Sequence, residues 1–254
     1  MKLRELISHL DSIFPFQLAL EWDNSGLQVG DPEQEIQRIL ITLDITEDTI
    51  EEAKEKGCQL ILSHHPLIFR GIKSIDASDP AGGSIFKCIK YGISVVSMHT
   101  NVDAAPNGLA RKVAEMLEIE VEEPLTPEGI GVVGRTAPLQ FEKLLERVKG
   151  RLKTTPRIVE GKHPFIEKVA LCPGSGGDLI DEAMRKGVHC YITGDIKYHQ
   201  AQKAHGNMWI IDAGHFATEY PFCELIKERL RELDCVISDR QRDFLKPISG
   251  GAYG

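Results

Sequence analysis

Residues 38–65, RILITLDITEDTIEEAKEKGCQLILSHH, decide the fold because the chain contains a second copy of them. They align without a gap to residues 168–195, KVALCPGSGGDLIDEAMRKGVHCYITGD, at a constant offset of 130 (168 − 38 and 195 − 65). The positions identical in both copies are Asp48, Ile50, Glu52, Ala53, Lys56 and Gly57, which recur as Asp178, Ile180, Glu182, Ala183, Lys186 and Gly187. Further along, His99 and Asp103 align with His215 and Glu219 at an offset of 116 (215 − 99 and 219 − 103). The repetition predicts two related lobes produced by an internal duplication.

Each copy alternates short runs of β-favouring residues with a helix. The predicted strands are 38–43, 59–63 and 93–98 in the first copy and 167–171, 189–193 and 208–212 in the second. After the first strand, Thr46 is a suitable N-cap, acidic residues fill the first turn and Gly57 ends the helix, a design that residues 178–187 repeat. Because parallel neighbouring strands need a crossover connection, the alternation predicts an α/β fold with a largely parallel sheet covered by helices.

The offsets, glycines and prolines indicate where the lobes begin and end. The offset falls from 130 to 116 between the second and third strands, so the first copy carries 14 extra residues, which we place in a loop over residues 69–83. Prolines and glycines at 122–131 predict a linker. We therefore expect lobes at 1–124 and 125–254, with the last long helix a candidate to pack on the first lobe. Strand ends from both lobes would meet at a cleft.

The composition excludes several classes of protein. A net charge of −8 and a pI near 5.6 argue against a nucleic-acid partner, which would need a basic surface for its phosphates. The six cysteines show no C-x-x-C spacing, which is typical of reduced thiols inside cells. The first ten residues predict an amphipathic helix rather than a signal peptide, and no apolar run approaches the roughly 20 residues of a membrane span. We therefore expect a cytoplasmic protein without a membrane partner.

Imidazoles and carboxylates cluster at the ends of the predicted strands. His64 and His65 follow the strand at 59–63, where open α/β sheets bind ligands, and adjacent residues of an extended segment point to opposite sides, which suits two different ions. His215 and Glu219 share one face at the start of a helix predicted to continue to residue 233. With Asp103, these side chains predict a dinuclear metal site that suits Zn, Fe or Mn. Two such ions about 3.5–4 Å apart can share a water molecule and lower its pKa.

Two residues beside these candidates each allow two interpretations. His99 aligns with His215, so it is either a ligand or, as we favour, a hydrogen-bonding neighbour of the centre. An unligated imidazole titrates near neutral pH, which makes His99 the candidate catalytic residue for shuttling a proton. Asp195 aligns with His65, and it either lines the cleft or belongs to a charged helix start.

Two glycine-containing segments are also ambiguous. Gly174, Ser175 and Gly176 precede a helix and either bind a phosphate of the substrate through backbone N–H groups or form a plain tight turn. The GKS or GKT sequence of a P-loop is missing there, which favours the turn. Residues 21–30, EWDNSGLQVG, are either a functional loop or, as we favour, turns around a packed tryptophan.

Five segments carry a resemblance to a known family. They are 21–30 (EWDNSGLQVG), 63–66 (SHHP), 99–103 (HTNVD), 193–195 (TGD) and 214–219 (GHFATE). Together they resemble the NIF-three-like family, whose members are called GTP cyclohydrolase type 2 homologues, and the similarity runs from Leu3 to about Ser238. Members commonly close with an Asn/Asp-Pro-Phe segment, where this chain has RDFLKP at 242–247.

The resemblance implies more than the residues alone. It implies a two-lobed α/β protein that assembles into a toroidal homohexamer, with metal sites facing an inner cavity. It also implies the ligands of the dinuclear centre, which are the residues matching His64, His65, Asp103, His215 and Glu219.

These observations favour a dinuclear metal-dependent hydrolase acting on a nucleotide-like substrate. The family name makes ring opening of GTP the specific version of this hypothesis. The alternative is a metal-binding scaffold or regulatory binding protein without catalysis, because function depends on the site and not on the fold.

Overall fold

A computed structural model of the protein describes residues 1–245, and the tail 246–254, with Lys246 and Pro247 of the divergent segment, lies outside the described residues. The strands are β1 (Gly26–Val29), β2 (Arg38–Thr42), β3 (Leu60–Ser63), β4 (Ser94–Ser97), β5 (Glu120–Pro124), β6 (Val132–Gln140), β7 (Arg157–Val159), β8 (Phe165–Ser175), β9 (Cys190–Gly194), β10 (Trp209–Asp212) and β11 (Asp234–Ile237). The α-helices are α1 (Leu3–Ile13), α2 (Glu47–Glu55), α3 (Pro80–Tyr91), α4 (Thr100–Ala104), α5 (Leu109–Met116), α6 (Phe141–Leu152), α7 (Ile180–Arg185), α8 (Tyr198–Ala204), α9 (His215–Glu219) and α10 (Pro221–Arg229).

The predicted α/β class is confirmed, and the described residues form two compact units. Unit 1 comprises Met1–Val113, Pro124–Val132 and Glu219–Gln241. Unit 2 comprises Ala114–Glu123, Val133–Thr218 and residues 242–245. The duplicated lobes 1–124 and 125–254 stay a prediction. Within residues 1–245, no helix combines the length and apolar character needed to cross a bilayer.

The sheet of unit 1 is mostly parallel, as the alternating pattern predicts. Its strand order is β1-β4-β3-β2-β11, and only β1 at one edge runs antiparallel to its neighbour. Every residue of β3 and β4 is buried, which fits central parallel strands covered on both faces. Because β2, β3 and β4 are parallel, their carboxyl ends lie at the same edge of the sheet.

Helix α2 begins and ends where the sequence predicts. The Thr46 hydroxyl accepts a hydrogen bond from the backbone N–H of Thr49, so the helix starts with a side-chain cap. The helix ends before Gly57, whose φ of +65° is the left-handed conformation that favours glycine. Ile50 and Ala53 of its inner face are fully buried against Leu40 and Ile61 of the sheet. This packing fixes the direction in which β2 and β3 deliver the residues that follow them.

The second sheet repeats part of this arrangement. Its order is β5-β6-β8-β9-β10-β7, with β8, β9 and β10 parallel and β7 antiparallel to β10. In the first sheet, β2, β3 and β4 are likewise parallel and β1 is antiparallel to β4. The pairing of Ile39 with Leu60 recurs as the pairing of Val169 with Cys190 at the offset of 130. These pairings support the proposed duplication.

Three predicted elements differ from the structure. The loop predicted over 69–83 ends early, because Asp79 caps α3 and Pro80 occupies its first turn. The helix predicted over 178–187 begins as a 3-10 turn, Gly177–Leu179, before α7. The helix predicted from His215 to residue 233 is divided into α9 and α10, since Pro221 has no N–H to continue the first helix.

Candidate metal centre

The candidate site of unit 1 is built at the carboxyl ends of three neighbouring parallel strands. Asp44 follows β2, His64 and His65 follow β3, and His99 follows β4 and precedes α4. Backbone bonds extend the β2–β3 pairing into this turn, because the N–H of His64 donates to the carbonyl of Thr42 at 3.1 Å. Open α/β sheets bind ligands at this edge. The prediction that His64 and His65 follow the carboxyl end of a strand is therefore confirmed, because β3 ends at Ser63.

His64 presents one ring nitrogen to two carboxylates. Its side chain is fully buried, and its Nδ1 lies 2.9 Å from the carbonyl oxygen of Met98, which can only accept, so Nδ1 carries the hydrogen. The opposite nitrogen, Nε2, lies 3.6 Å from Glu219 Oε1 and 3.8 Å from Asp103 Oδ1. This buried Nε2 has no hydrogen-bond partner among residues 1–245. Buried polar atoms normally have a partner, so a buried nitrogen that faces two acids without one fits the role of a metal ligand.

His65 is held between two carboxylates. Its Nδ1 donates to Asp44 Oδ1 at 2.8 Å, and its Nε2 lies 3.0 Å from Glu219 Oε2. A carboxylate on one imidazole nitrogen fixes the ring orientation and makes the other nitrogen a better metal ligand. Glu219 is 5% exposed and reaches both imidazoles with separate oxygens. Glu219 is thus placed to bridge two positions.

His99 has the same kind of support. Its Nδ1 donates to Asp23 Oδ1 at 2.8 Å, and the other oxygen of Asp23 accepts from the backbone N–H and the hydroxyl of Thr100. The ligand atoms offered by His64, His65 and His99 all lie within 4.8 Å of one another. These three imidazoles form a group that could hold a metal ion, so both interpretations of His99 stay open.

The electrostatics of the cluster favour a cation. Burial alone would lower the pKa of His64, but the carboxylates of Asp103 and Glu219 outweigh it and raise that pKa. Burial would also lower the pKa of His65, but Asp44 and Glu219 raise it to about 10. For Asp103, burial raises the pKa of the carboxyl despite the neighbouring imidazoles. A divalent ion would neutralise these acids in place of the bound protons.

The donor set and its spacing fit a metal. Imidazole nitrogens and carboxylate oxygens without thiolate suit Zn, Fe or Mn. Two ligands at about 2.1 Å from one ion, at a tetrahedral angle, are about 3.4 Å apart. The separations of 3.0, 3.6 and 3.8 Å around Glu219 bracket this value. Unit 1 therefore holds a His/Glu cluster that could bind a metal ion.

His215 lies in unit 2, at the start of α9, four residues before Glu219. Its Nδ1 donates to Asp195 Oδ2 at 2.7 Å, so this imidazole also has a carboxylate on the nitrogen that would face away from a ligand. Asp195 adopts a left-handed φ of +57°, which is unusual for a residue other than glycine. The contact assigns Asp195 to the orientation of His215, a role that neither interpretation of its sequence position includes.

The segment of Gly174, Ser175 and Gly176 forms internal contacts. The N–H of Gly174 donates to the hydroxyl of Thr218 at 2.9 Å, and the N–H of Gly176 donates to the hydroxyl of Thr193 at 3.0 Å. Ser175 is the last residue of β8. Two of the N–H groups proposed to bind a phosphate are therefore already engaged. This observation argues against a phosphate site, and the predicted tight turn is wrong for Gly174 and Ser175, which lie at the end of β8.

Sequence reasoning missed Asp44 and Asp23, the acids that orient His65 and His99. Asp44 has a signal, because it lies two residues after β2, the strand that neighbours β3 before His64. Its repeat counterpart is Gly174, so the duplication gave no indication of its role. Asp23 belongs to the EWDNSGLQVG loop, whose distance of 76 residues from His99 hides the contact.

Comparison with known proteins identifies the family. The chain matches the family model Duf34/NIF3 (NGG1p interacting factor 3) over residues 1–243. It belongs to the Duf34/NIF3 family. A Streptomyces coelicolor protein named GTP cyclohydrolase 1 type 2 homolog is 36% identical, with 94% of this chain and 87% of that protein covered. A Helicobacter pylori protein named GTP cyclohydrolase 1 type 2 is 32% identical, with 93% of this chain and 94% of that protein covered.

Solved structures share this fold over almost the whole chain. A hypothetical protein from Staphylococcus aureus has a TM-score of 0.88 at 29% identity, covering 98% of this chain and 99% of that one. Reduced HcgD from Methanocaldococcus jannaschii has a TM-score of 0.86 at 30% identity, covering 94% of this chain and 98% of that one. The family resemblance drawn from the five sequence segments is confirmed.

Proposed function

We propose that this Duf34/NIF3 protein is a metal-dependent hydrolase that acts on a nucleotide-like substrate. The observation that carries the proposal is the buried His64 Nε2, which faces the carboxylates of Asp103 and Glu219 without a hydrogen-bond partner in the described chain. The names of the relatives, GTP cyclohydrolase 1 type 2 and its homolog, suggest ring opening of GTP as the reaction.

The proposed cofactors are two divalent ions, Zn, Fe or Mn. The proposed ligands are His64, His65, Asp103, His215 and Glu219. His215 is included because it precedes Glu219 by one turn of α9, a spacing typical of paired ligands, and because Asp195 orients its ring. When bound, such a pair would supply Lewis acidity and would lower the pKa of a bound water molecule, so that hydroxide is available at neutral pH.

The surrounding side chains have separate roles in the proposal. Asp44 holds the hydrogen of His65 at Nδ1 and leaves Nε2 as the donor. His99 moves the proton at Nε2, while Asp23 keeps its Nδ1 protonated and fixes the ring. The side chain of Asp23 is fully buried, and although burial alone would raise its pKa, hydrogen bonds from His99 and Thr100 lower the pKa of this carboxyl. Asp23 thus stays ionised beside the ring of His99.

A homohexamer is proposed from the family resemblance alone. A scaffold that binds metal without catalysis is the competing function, and the test below separates the two. Both require the same ligands, so only turnover distinguishes them.

The test removes one ligand at a time in the full-length protein. We expect Glu219→Ala and Asp103→Asn to lose bound metal and to reduce turnover of GTP more than about 100-fold. This loss exceeds the roughly 10–100-fold effect of changing a residue that only hydrogen-bonds a metal ligand. His9→Ala, on an exposed face of α1, is the matched control and retains both. Metal content by elemental analysis, turnover with added Mn, Zn or Fe, and thermal melting are measured together. Metal-free protein that hydrolyses GTP at the wild-type rate contradicts the proposal, and metal-dependent binding without turnover supports the scaffold.

A further inference from the structure

An exposed tryptophan stands beside the imidazoles of the candidate metal centre. Trp22 is 57% exposed, so the prediction of a packed tryptophan in the EWDNSGLQVG loop is wrong. Its ring centroid lies 6.0 Å from that of His99 in an edge-on arrangement, and His99 is 5.2 Å from His64. Exposing a large aromatic side chain forgoes the stabilisation of burying it. Trp22 therefore has the position of a ligand-contacting residue.

A second exposed aromatic side chain lies next to Trp22. Phe69 is 48% exposed, and its ring centroid is 5.8 Å from that of Trp22. The planes are inclined by 54°, so the two rings do not stack on one another. Both side chains keep part of their aromatic surface available.

Hydrogen bonds hold the two aromatic residues together. Asn24 Nδ2 donates to the carbonyl of Ile68 at 2.6 Å, and the N–H of Ile68 donates to Gln28 Oε1 at 3.1 Å. Ile68 directly precedes Phe69, while Asn24 follows Trp22 by two residues and Gln28 lies on β1. The relative position of the rings is thus fixed before any ligand arrives, which reduces the entropy lost on binding.

Positive charge follows the second aromatic residue. Arg70 and Lys73 are exposed, and neither forms an ion pair with any residue in the part of the chain that the structure describes. They belong to a segment that begins at Phe69 and continues to α3. A ligand bound on the aromatic pair could therefore place anionic groups near this segment.

We propose that Trp22 and Phe69 form an aromatic wall that stacks against the planar heteroaromatic ring of an anionic substrate, beside His99. Aromatic side chains bind nucleobases through their faces, and every base offers such a face. The inference rests on the proposed function, because it assigns the substrate class of the same site. It makes Trp22 and Phe69 determinants of specificity for the ring, separate from the metal ligands.

The first experiment measures binding by fluorescence in the metal-loaded, full-length protein. The probes are 7-deaza-GTP, which keeps a planar fused ring but lacks the imidazole ring to be opened, and inorganic triphosphate, which has no ring. We expect 7-deaza-GTP to quench tryptophan fluorescence and inorganic triphosphate to leave it unchanged. The chain has one other tryptophan, Trp209, which stacks on Phe141 at 3.9 Å. Trp22→Phe removes the quenched signal if Trp22 is its source, and quenching that persists in this variant contradicts the proposal.

The second experiment changes Phe69, whose ring lies against Trp22 and which is not one of the proposed metal ligands. Phe69→Ala should raise the Kd for 7-deaza-GTP at least about fivefold, the lower end of the loss of one base–aromatic stack. The Kd for inorganic triphosphate and the metal content should not change. The matched control is Phe165→Ala, which removes a phenylalanine that is 57% exposed in unit 2. An unchanged Kd for 7-deaza-GTP overturns the proposal, and so does an altered oligomeric state with unchanged Kd, which would assign the wall to a second copy of the chain.

The two proposals fail in different ways. Ring-dependent binding without turnover of GTP supports the aromatic wall and contradicts the hydrolase. Turnover of GTP with an unchanged KM in Phe69→Ala and Trp22→Phe supports the hydrolase and overturns the aromatic wall.

Discussion

Replacing Asp44 by Asn should weaken metal binding without removing any proposed ligand. The carboxylate accepts a hydrogen bond from His65 Nδ1 at 2.8 Å, and its side chain is 33% exposed. An amide of the same size accepts this bond less strongly, and it can also present its N–H₂ group to the ring and favour the wrong tautomer. The substitution therefore changes the orientation and basicity of His65 while the packing around it is retained.

The expected magnitude follows from the contact. A hydrogen bond to a charged group contributes about 1.5–3 kcal/mol, and partial exposure of Asp44 places the loss at the lower part of this range. About 1.4 kcal/mol corresponds to tenfold in affinity, so we expect a 10- to 30-fold weaker Kd, within the roughly 10–100-fold range for such neighbours.

The assay is a competition titration of Zn²⁺ or Mn²⁺ against a chromophoric chelator at fixed pH. Asp234→Asn is the matched control, because Asp234 is an exposed acid of unit 1 that binds Arg38 at 2.7 Å and no imidazole. The control should bind metal like the wild type. Equal affinities of Asp44→Asn and Asp234→Asn would refute the reasoning, since the contact to His65 would then contribute nothing.

Two further predictions concern stability. Glu52 is 2% exposed and accepts hydrogen bonds from Lys56, Ser238 and the backbone N–H of Asp239. Breaking such a network by Glu52→Ala costs about 3–4 kcal/mol, which should lower the Tm in thermal melts by roughly 6–16 °C. Burial alone would raise the pKa of Glu52, but these donors lower it, so its contribution is complete above its ordinary value of 4.5 and is lost as the pH falls below that value. The difference in Tm should therefore narrow below pH 4.5, and a constant difference would contradict the assignment. Gly108→Ala should lower the Tm, because the new methyl group would collide with the carbonyl oxygen of Val102 at a cost of about 1–3 kcal/mol. Gly150→Ala is the control. It lies on α6 with open space around it, and alanine is the better helix former, so this variant should raise the Tm.

The sequence was most informative where local chemistry and tertiary packing agree. Thr46 caps α2 and Gly57 follows its end, as predicted, because both signals act within a few residues. The strands that the sequence predicts are mostly buried apolar runs, whereas β1, β5 and β7, which it does not predict, contain no buried residue. The position of His64 and His65 directly after a strand could be predicted because β3 is such a buried apolar run.

Other features depend on contacts that the sequence does not show. Glu52 and Glu182 are identical positions of the repeat, yet Glu52 binds the chain at Ser238 while Glu182 binds its helical neighbour Arg185. The partners of these two glutamates differ because different segments pack beside the two helices. Asp44 and Asp23 were missed because their imidazole partners are distant in the chain, and Trp22 was expected to be packed because its exposure is a tertiary property.

The route of the chain through unit 1 has a consequence for synthesis. Glu219, α10 and β11 belong to the same unit as β2, although 96 residues of unit 2 (10 in Ala114–Glu123 and 86 in Val133–Thr218) are made between them. A ribosome that has released the first 113 residues has therefore produced a sheet whose β2 edge is still open and imidazoles without their glutamate. The nascent protein must keep that edge from other chains until residues 219–241 emerge, and the proposed binding of a metal ion would come at the last stage of its maturation.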